Sequence, residues 1–268
     1  MKAVPTVFAA RSGAAAIVAM AVLALVGREF VNGDPFAVAG PALAPPGGAH
    51  LFGTDDLGRD VFTGVIHGAA LSLIVGFSAA ALSAVIGLLV GGIAGAGEKR
   101  LDAALMRVTE FAQALPRFFL IVTLVSLFGG RLTLIVIALG LTAWPATARL
   151  FRAQVLSLKS REFVIAARAA GARDFTVLWR HALPIALPVL AAQMSFQAGG
   201  AILGEAGLSF LGLGDPNVMS WGTQLGAAQF FVREAWWMSV FPGLAVTLTV
   251  LACNLLAEGV THRDRFSR

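Results

Sequence analysis

Long uncharged apolar runs, separated by short clusters of charge, set the organisation of the chain. No Asp, Glu, Lys or Arg falls between Ala182 and Gly204, or between Ala235 and Ala257. A bilayer core about 30 Å thick is crossed by about 20 helical residues, so each run is long enough to span it. Reading the rest of the chain in the same way places further spans near Gly13–Gly27, Leu71–Gly95, Arg107–Phe128 and Leu132–Ala148. The expected fold is all-α: a polytopic membrane protein with six transmembrane helices. In the second span Gly87, Gly91 and Gly95 follow Ala79, Ala80, Ala81 and Ser83. Small residues at that spacing let another helix backbone approach closely in lipid. Pro145, Pro188 and Pro242 lie in or beside spans and permit bends there.

Composition agrees with this class. Apolar residues make up 57% of the chain and charged ones 13%, against about a quarter charged in soluble domains. The net charge of +5 does not mark a nucleic-acid binder, because the basic residues flank spans instead of covering one folded face. With both termini in the cytoplasm, only Arg28, Arg59, Arg131 and Arg233 of the 20 Lys and Arg residues fall outside. That is the asymmetry of the positive-inside rule. The first run is as short as a signal-peptide core, but Gly27-Arg28-Glu29-Phe30 makes a poor cleavage site. An uncleaved anchor fits better, with Arg11 and Arg28 reaching the two interfaces. Residues 1–48 then form the anchor and an outer loop, and 49–268 the main transmembrane domain. Arg117 interrupts the third span, with Glu110 on the same helical face. A functional intramembrane charge is the sharper reading, and an arginine near a helix end reaching for the interface the plainer one. Cys253, the single cysteine, sits in an apolar run and reads as a packing residue.

The largest cluster of inside charge belongs to one segment between the fourth and fifth spans. Its centre, Arg161 to Pro184, reads REFVIAARAAGARDFTVLWRHALP. Glu162–Ala170 is alanine-rich and helix-forming, and Gly171 supplies a stop. Asp174 can start a second helix, in which Phe175, Leu178, Trp179 and Ala182 share one apolar face. Such a helix–glycine–helix suits docking in a groove of another protein. Periodicity alone fits an amphipathic pair lying in the headgroups equally well.

This segment resembles the E-A-A-x3-G-x9-I-x-L-P signature of binding-protein-dependent ABC permeases. Ala166, Ala167, Gly171, Leu183 and Pro184 match, whereas Ile165 replaces the glutamate and His181 the isoleucine. The run Arg180-His181-Ala182-Leu183-Pro184 looks like the R-H-x-L-P form of the dipeptide, oligopeptide and nickel permeases. His50 to Leu73 resembles their G-T-D-x-L-G-R-D segment, and Gly204 to Gly222 their E-A-G-L-S-F-L-G-L-G segment. The resemblance implies the type I ABC importer permease fold and a coupling loop over about 157–184. That loop would dock on ATPase subunits through Glu162, Ala166, Ala167, Gly171, Asp174, Phe175, Trp179, His181, Leu183 and Pro184. It also implies a B-type permease partner in a heterodimer, two ATP-binding subunits that carry ATP and Mg, an extracytoplasmic substrate-binding protein, and a bacterial inner membrane. Peptides are the subfamily's commonest cargo; nickel or another small solute is the alternative.

The chain carries no phosphate-cradling motif of its own, since none of Lys2, Lys99 and Lys159 follows a glycine. It is expected to be no enzyme and to bind no cofactor. Asp55, Asp56, Arg59 and Asp60 cluster before the second span. With His50 and His67 they could ligate a metal, but the spacing matches no compact ligand set. Asp55 or Asp60 pairing Arg59, or capping a helix that begins near Val61, is the structural reading. Asp215 is the one charge between Glu205 and Trp221, where a hairpin dipping back into the membrane fits the sequence. Glu205 is the best candidate to face the pathway, or else a buried structural carboxylate. Asp55, Arg59, Asp60, Glu205, Asp215 and Trp221 make up the expected translocation and binding-protein side. An ion-coupled secondary transporter, an intramembrane enzyme and a scaffold subunit are the competing classes. The first would need ionisable groups or broken helices near the midplane, and the fifth and sixth spans hold no charge.

Overall fold

Small residues on the long helices decide how the chain packs. The computed structural model describes residues 6–31, 33–171, 176, 180 and 183–266. Along them run α1 (Thr6–Phe30), α2 (Val61–Ala96), α3 (Lys99–Ala114), α4 (Arg117–Phe128), α5 (Leu132–Lys159), α6 (Glu162–Ala169), α7 (Leu183–Phe210), α8 (Trp221–Ala228) and α9 (Trp237–Phe266). No strand forms among the described residues; two isolated bridges, Val38 to Arg59 and Thr54 to Asp60, fold the loop before α2.

By length and composition α2, α5, α7 and α9 can each cross a bilayer. The expected third span is corrected. It is a pair, α3 and α4, bent by 77° at Leu115–Pro116. Proline disfavours the helical conformation in the residue before it, and Leu115 is extended at ψ 133°. Arg117 therefore opens α4, and Glu110 belongs to a different helix. Counted as one span, the pair makes a fifth. Within the 25-residue α1 the apolar stretch is the shorter Arg11–Ala24, so five of the six expected spans meet that criterion. Pro145, Pro188 and Pro242 lie inside continuous helices.

The glycine stripe of α2 meets α5 of the same chain. A Cβ on Gly87 would stand 2.5 Å from Thr147 Cβ, one on Gly95 2.7 Å from Val155 Cβ, and one on Gly91 would collide with the Ala148 carbonyl. Beside this seam a buried polar network joins three helices. Ser83 donates to Gln197 Oε1 at 2.8 Å, and Gln197 Nε2 donates to Thr147 Oγ1 at 3.0 Å and to the Ala143 carbonyl at 3.1 Å. Each interhelical hydrogen bond in a bilayer contributes about 0.6 kcal/mol, so the network fixes register more than it adds stability. Cys253 is fully buried next to Gly199, as a packing residue should be. Gly13 of α1 abuts the backbone of Ala252 and Leu256, so the early turns of α1 pack against the later part of α9.

Candidate functional site

At the other end, the loop before α2 is built around two aspartates. Asp55 Oδ1 accepts from the backbone N–H groups of Leu57 and Arg59 at 2.9 and 2.8 Å, while its Oδ2 accepts from Arg59 Nε at 2.6 Å. This closes a turn whose Gly58 has φ +75°, where a Cβ would strike the Gly40 carbonyl. Asp60 caps α2: its Oδ1 accepts from Thr63 N at 2.8 Å, and His50 Nδ1 lies 3.1 Å from Oδ2. Both halves of the structural reading hold. Among the described residues no three His, Cys, Asp or Glu gather as a metal site.

The segment after α7 folds back against this loop and α2. Trp221, fully buried, donates its indole N–H to the Val65 carbonyl at 2.9 Å, and Trp237 donates to the Thr54 carbonyl at 3.0 Å. Trp221 is therefore an internal anchor. Asp215 Oδ2 accepts from Leu132 N at 3.1 Å and so caps α5 from a distant part of the chain. The Asn217 backbone N–H, then that of Leu132, the Asn217 side chain and the Arg131 charge hold the Asp215 carboxyl below the usual carboxylate range. Glu205 is 2% exposed and accepts from Ser209 Oγ at 2.6 Å. It is the buried structural carboxylate of the two readings, not a residue on an open face. Asp55, Arg59 and Asp60 line a pocket of about 200 Å³ with Gln224, Pro216 and Met219.

A second cavity lies along the middle of the helices. Its volume is about 230 Å³, and Gln113, Leu115, Arg117, Thr142, Gln193 and Gln197 are among its walls. Arg117 Nε donates to Thr142 Oγ1 and Nη2 to the Leu139 carbonyl, both at 3.1 Å. Sequence reasoning singled out Arg117, but it had no means of placing the two glutamines and Thr142 around it.

At the α6 end of the bundle Arg152 Nη2 donates to Asp102 Oδ2 at 2.7 Å, and Lys159 donates to the Ala96 carbonyl at 2.9 Å. These bonds hold α5 to α3 and to the end of α2. Helix α6 then projects with Val164 as its buried foot. Glu162, Ile165 and Ala166 are exposed, Ala167 is half-buried, and the helix gives way to Gly171 at φ +89°. Among the described residues, nothing lies within 4 Å of a Cβ built on Gly171. Leu183 and Pro184 begin α7. Asp174, Phe175, Trp179 and His181 lie outside the described residues.

The model of the binding-protein-dependent transport system inner membrane component family matches residues 87–263. A Brucella suis protein, named provisionally as a peptide transport system permease, is 39% identical over 252 residues, covering 93% of this chain and 85% of that protein. A second one from Brucella suis, named provisionally as a peptide permease, is 41% identical over 224 residues, covering 82% and 74%. The dipeptide transport system permease protein DppC of Bacillus subtilis is 38% identical over 218 residues, covering 81% and 68%. The match to the family model takes in the α2–α5 seam, the mid-depth cleft, α6 and most of α9, and the chain is a member of this family of transport-system inner membrane components.

Proposed function

We propose that the chain is the C-type permease subunit of an ATP-driven peptide importer in a bacterial inner membrane, with both termini cytoplasmic. It pairs with a B-type permease to enclose the path. Two ATPase subunits, which carry ATP and Mg, dock on the segment from Glu162 to Pro184. A substrate-binding protein delivers di- or oligopeptides to the end built from Asp55, Arg59, Asp60 and Asp215. Closure of the ATPases moves the docked segments and switches the paired permeases between outward- and inward-facing states, a rigid element biasing a two-state bundle.

The observation that carries this reading is α6. An exposed, alanine-rich helix ends in a glycine whose backbone is left-handed and beside which, among the described residues, a Cβ would find open space. Substituting Gly171→Leu puts a bulky side chain where the partner would close, and it adds about 1–2 kcal/mol of local backbone strain. The variant should insert normally yet lose ATPase recruitment and uptake of labelled trialanine in membrane vesicles. Wild-type recruitment and uptake would overturn the docking assignment.

A further inference from the structure

Resting on the peptide-import reading above, we infer that Arg117 reads the carboxylate of the passing substrate in the mid-depth cleft. Depth comes first. Arg117 lies about 17 Å along α4 from its outer end at Phe128, and Thr142 about 15 Å along α5 from Leu132, at 1.5 Å per residue. Gln193 lies about 15 Å along α7 from Leu183. Three helices independently put the cluster near the middle of a hydrocarbon core about 30 Å thick. The side chain also turns away from the interface. It reaches across to oxygens of Thr142 and Leu139, which excludes the reading of an arginine stretching toward headgroups.

Charge balance comes next. The guanidinium remains cationic at any working pH, and an unpaired cation at this depth is costly. Ion pairs form between His50 and Asp60, Arg59 and Asp55, and Arg152 and Asp102, and among the described residues none involves Arg117. Its two hydrogen bonds go to neutral oxygens and leave donors of the planar fork for an acceptor that comes and goes. A peptide's terminal carboxylate is such an acceptor. A lipid phosphate stays at the interface, about half a bilayer core away.

The cleft walls suit a peptide as well. Amides of Gln113 and Gln193 offer donors and acceptors to a polar backbone, while Ala146 and Gly200 keep the trough open; the Thr142 hydroxyl donates to the Ala138 carbonyl and holds Arg117 in place. Gln197 closes the back with its amide already committed to Ser83, Thr147 and Ala143. Arg117 is thus a substrate-contacting residue of the path.

The test uses the full importer with its binding protein in proteoliposomes. ATP-driven uptake of labelled trialanine is compared for wild type, Arg117→Gln and Arg117→Lys, alongside binding-protein-stimulated ATP hydrolysis. Uptake should fall at least tenfold in Arg117→Gln and less in Arg117→Lys, with stimulated hydrolysis still present in each as the sign of an assembled complex. In parallel, Gln193→Cys in a Cys253→Ala background is modified with anionic and cationic methanethiosulfonates. The anionic-to-cationic rate ratio should drop about tenfold when Arg117→Gln is added. Unchanged uptake together with an unchanged ratio overturns the inference. So does an Arg117→Gln subunit that no longer assembles with its partner permease, which would make the missing anion a structural carboxylate of that partner. If the wild-type complex ignores trialanine, the peptide reading fails separately, and the rate ratio alone decides whether the cleft favours anions.

Discussion

Adding a single methyl group to α2 at Gly91 should destabilise the protein, although alanine is the better helix former. The Cβ would overlap the Ala148 carbonyl oxygen and stand 3.0 Å from both Ala148 C and Cα. All three neighbours are backbone, so no side chain can swing aside, and ordinary contact requires the helices to part by about 1 Å. A gap of that size forfeits a quarter to a half of the dispersion energy of the contacts involved, and overpacking costs about 1–3 kcal/mol in well-filled interiors. Helix propensity returns about 1 kcal/mol, which leaves a net loss of up to about 2 kcal/mol. Gly200 supplies the internal control. Its Cβ would meet nothing within 4 Å, so Gly200→Ala keeps the propensity gain and loses nothing. Equilibrium unfolding of both variants in mixed detergent micelles should separate them by the overpacking cost, about 1–3 kcal/mol. If Gly91→Ala is as stable as Gly200→Ala, the close α2–α5 seam is not what holds the bundle.

Two further outcomes are expected beside the Gly171 and Arg117 tests. Asp60→Ala removes the α2 cap and strands His50, and should cost about 1 kcal/mol by the same unfolding assay, whereas Asp60→Asn should recover most of it. Asp215 has a depressed folded pKa. It therefore contributes stability that is present above its unfolded value of about 3.9 and is lost as pH falls through the lower folded value; an acid titration of unfolding should lose that limb in Asp215→Asn.

Hydropathy located the long spans because lipid punishes any charge there, but it marked the limits of the membrane rather than those of the helices. Helix α2 begins at Val61, well before Leu71, because its first turns pack on Trp221 and Gln224 and are capped by Asp60. Helix α5 runs past Ala148 to Lys159 because Asp102 and the Ala96 carbonyl give Arg152 and Lys159 partners beyond the slab. The break in the third span had a visible signal, Pro116 beside Arg117. The prolines that drew notice instead sit inside unbroken helices, where neighbours absorb one lost hydrogen bond. Trp221 and Asp215 look alike in sequence as outer-face residues. Only the fold shows one buried on α2 and the other capping α5.

What separates structural from working polar groups in this bundle is whether their partners are already present. Gln197 and Asp60 each tie distant segments of the chain together, and Asp55 closes a turn on Arg59. Arg117 sits among donors and neutral acceptors with no counter-charge among the described residues. Ile165 poses the same question on α6: it is 56% exposed where the family signature carries a glutamate. An apolar side chain there withdraws a charge from the surface α6 presents. On the docking proposed above, the groove opposite Ile165 is expected to be apolar, because burying a carboxylate-seeking group against it would leave that group unpaired.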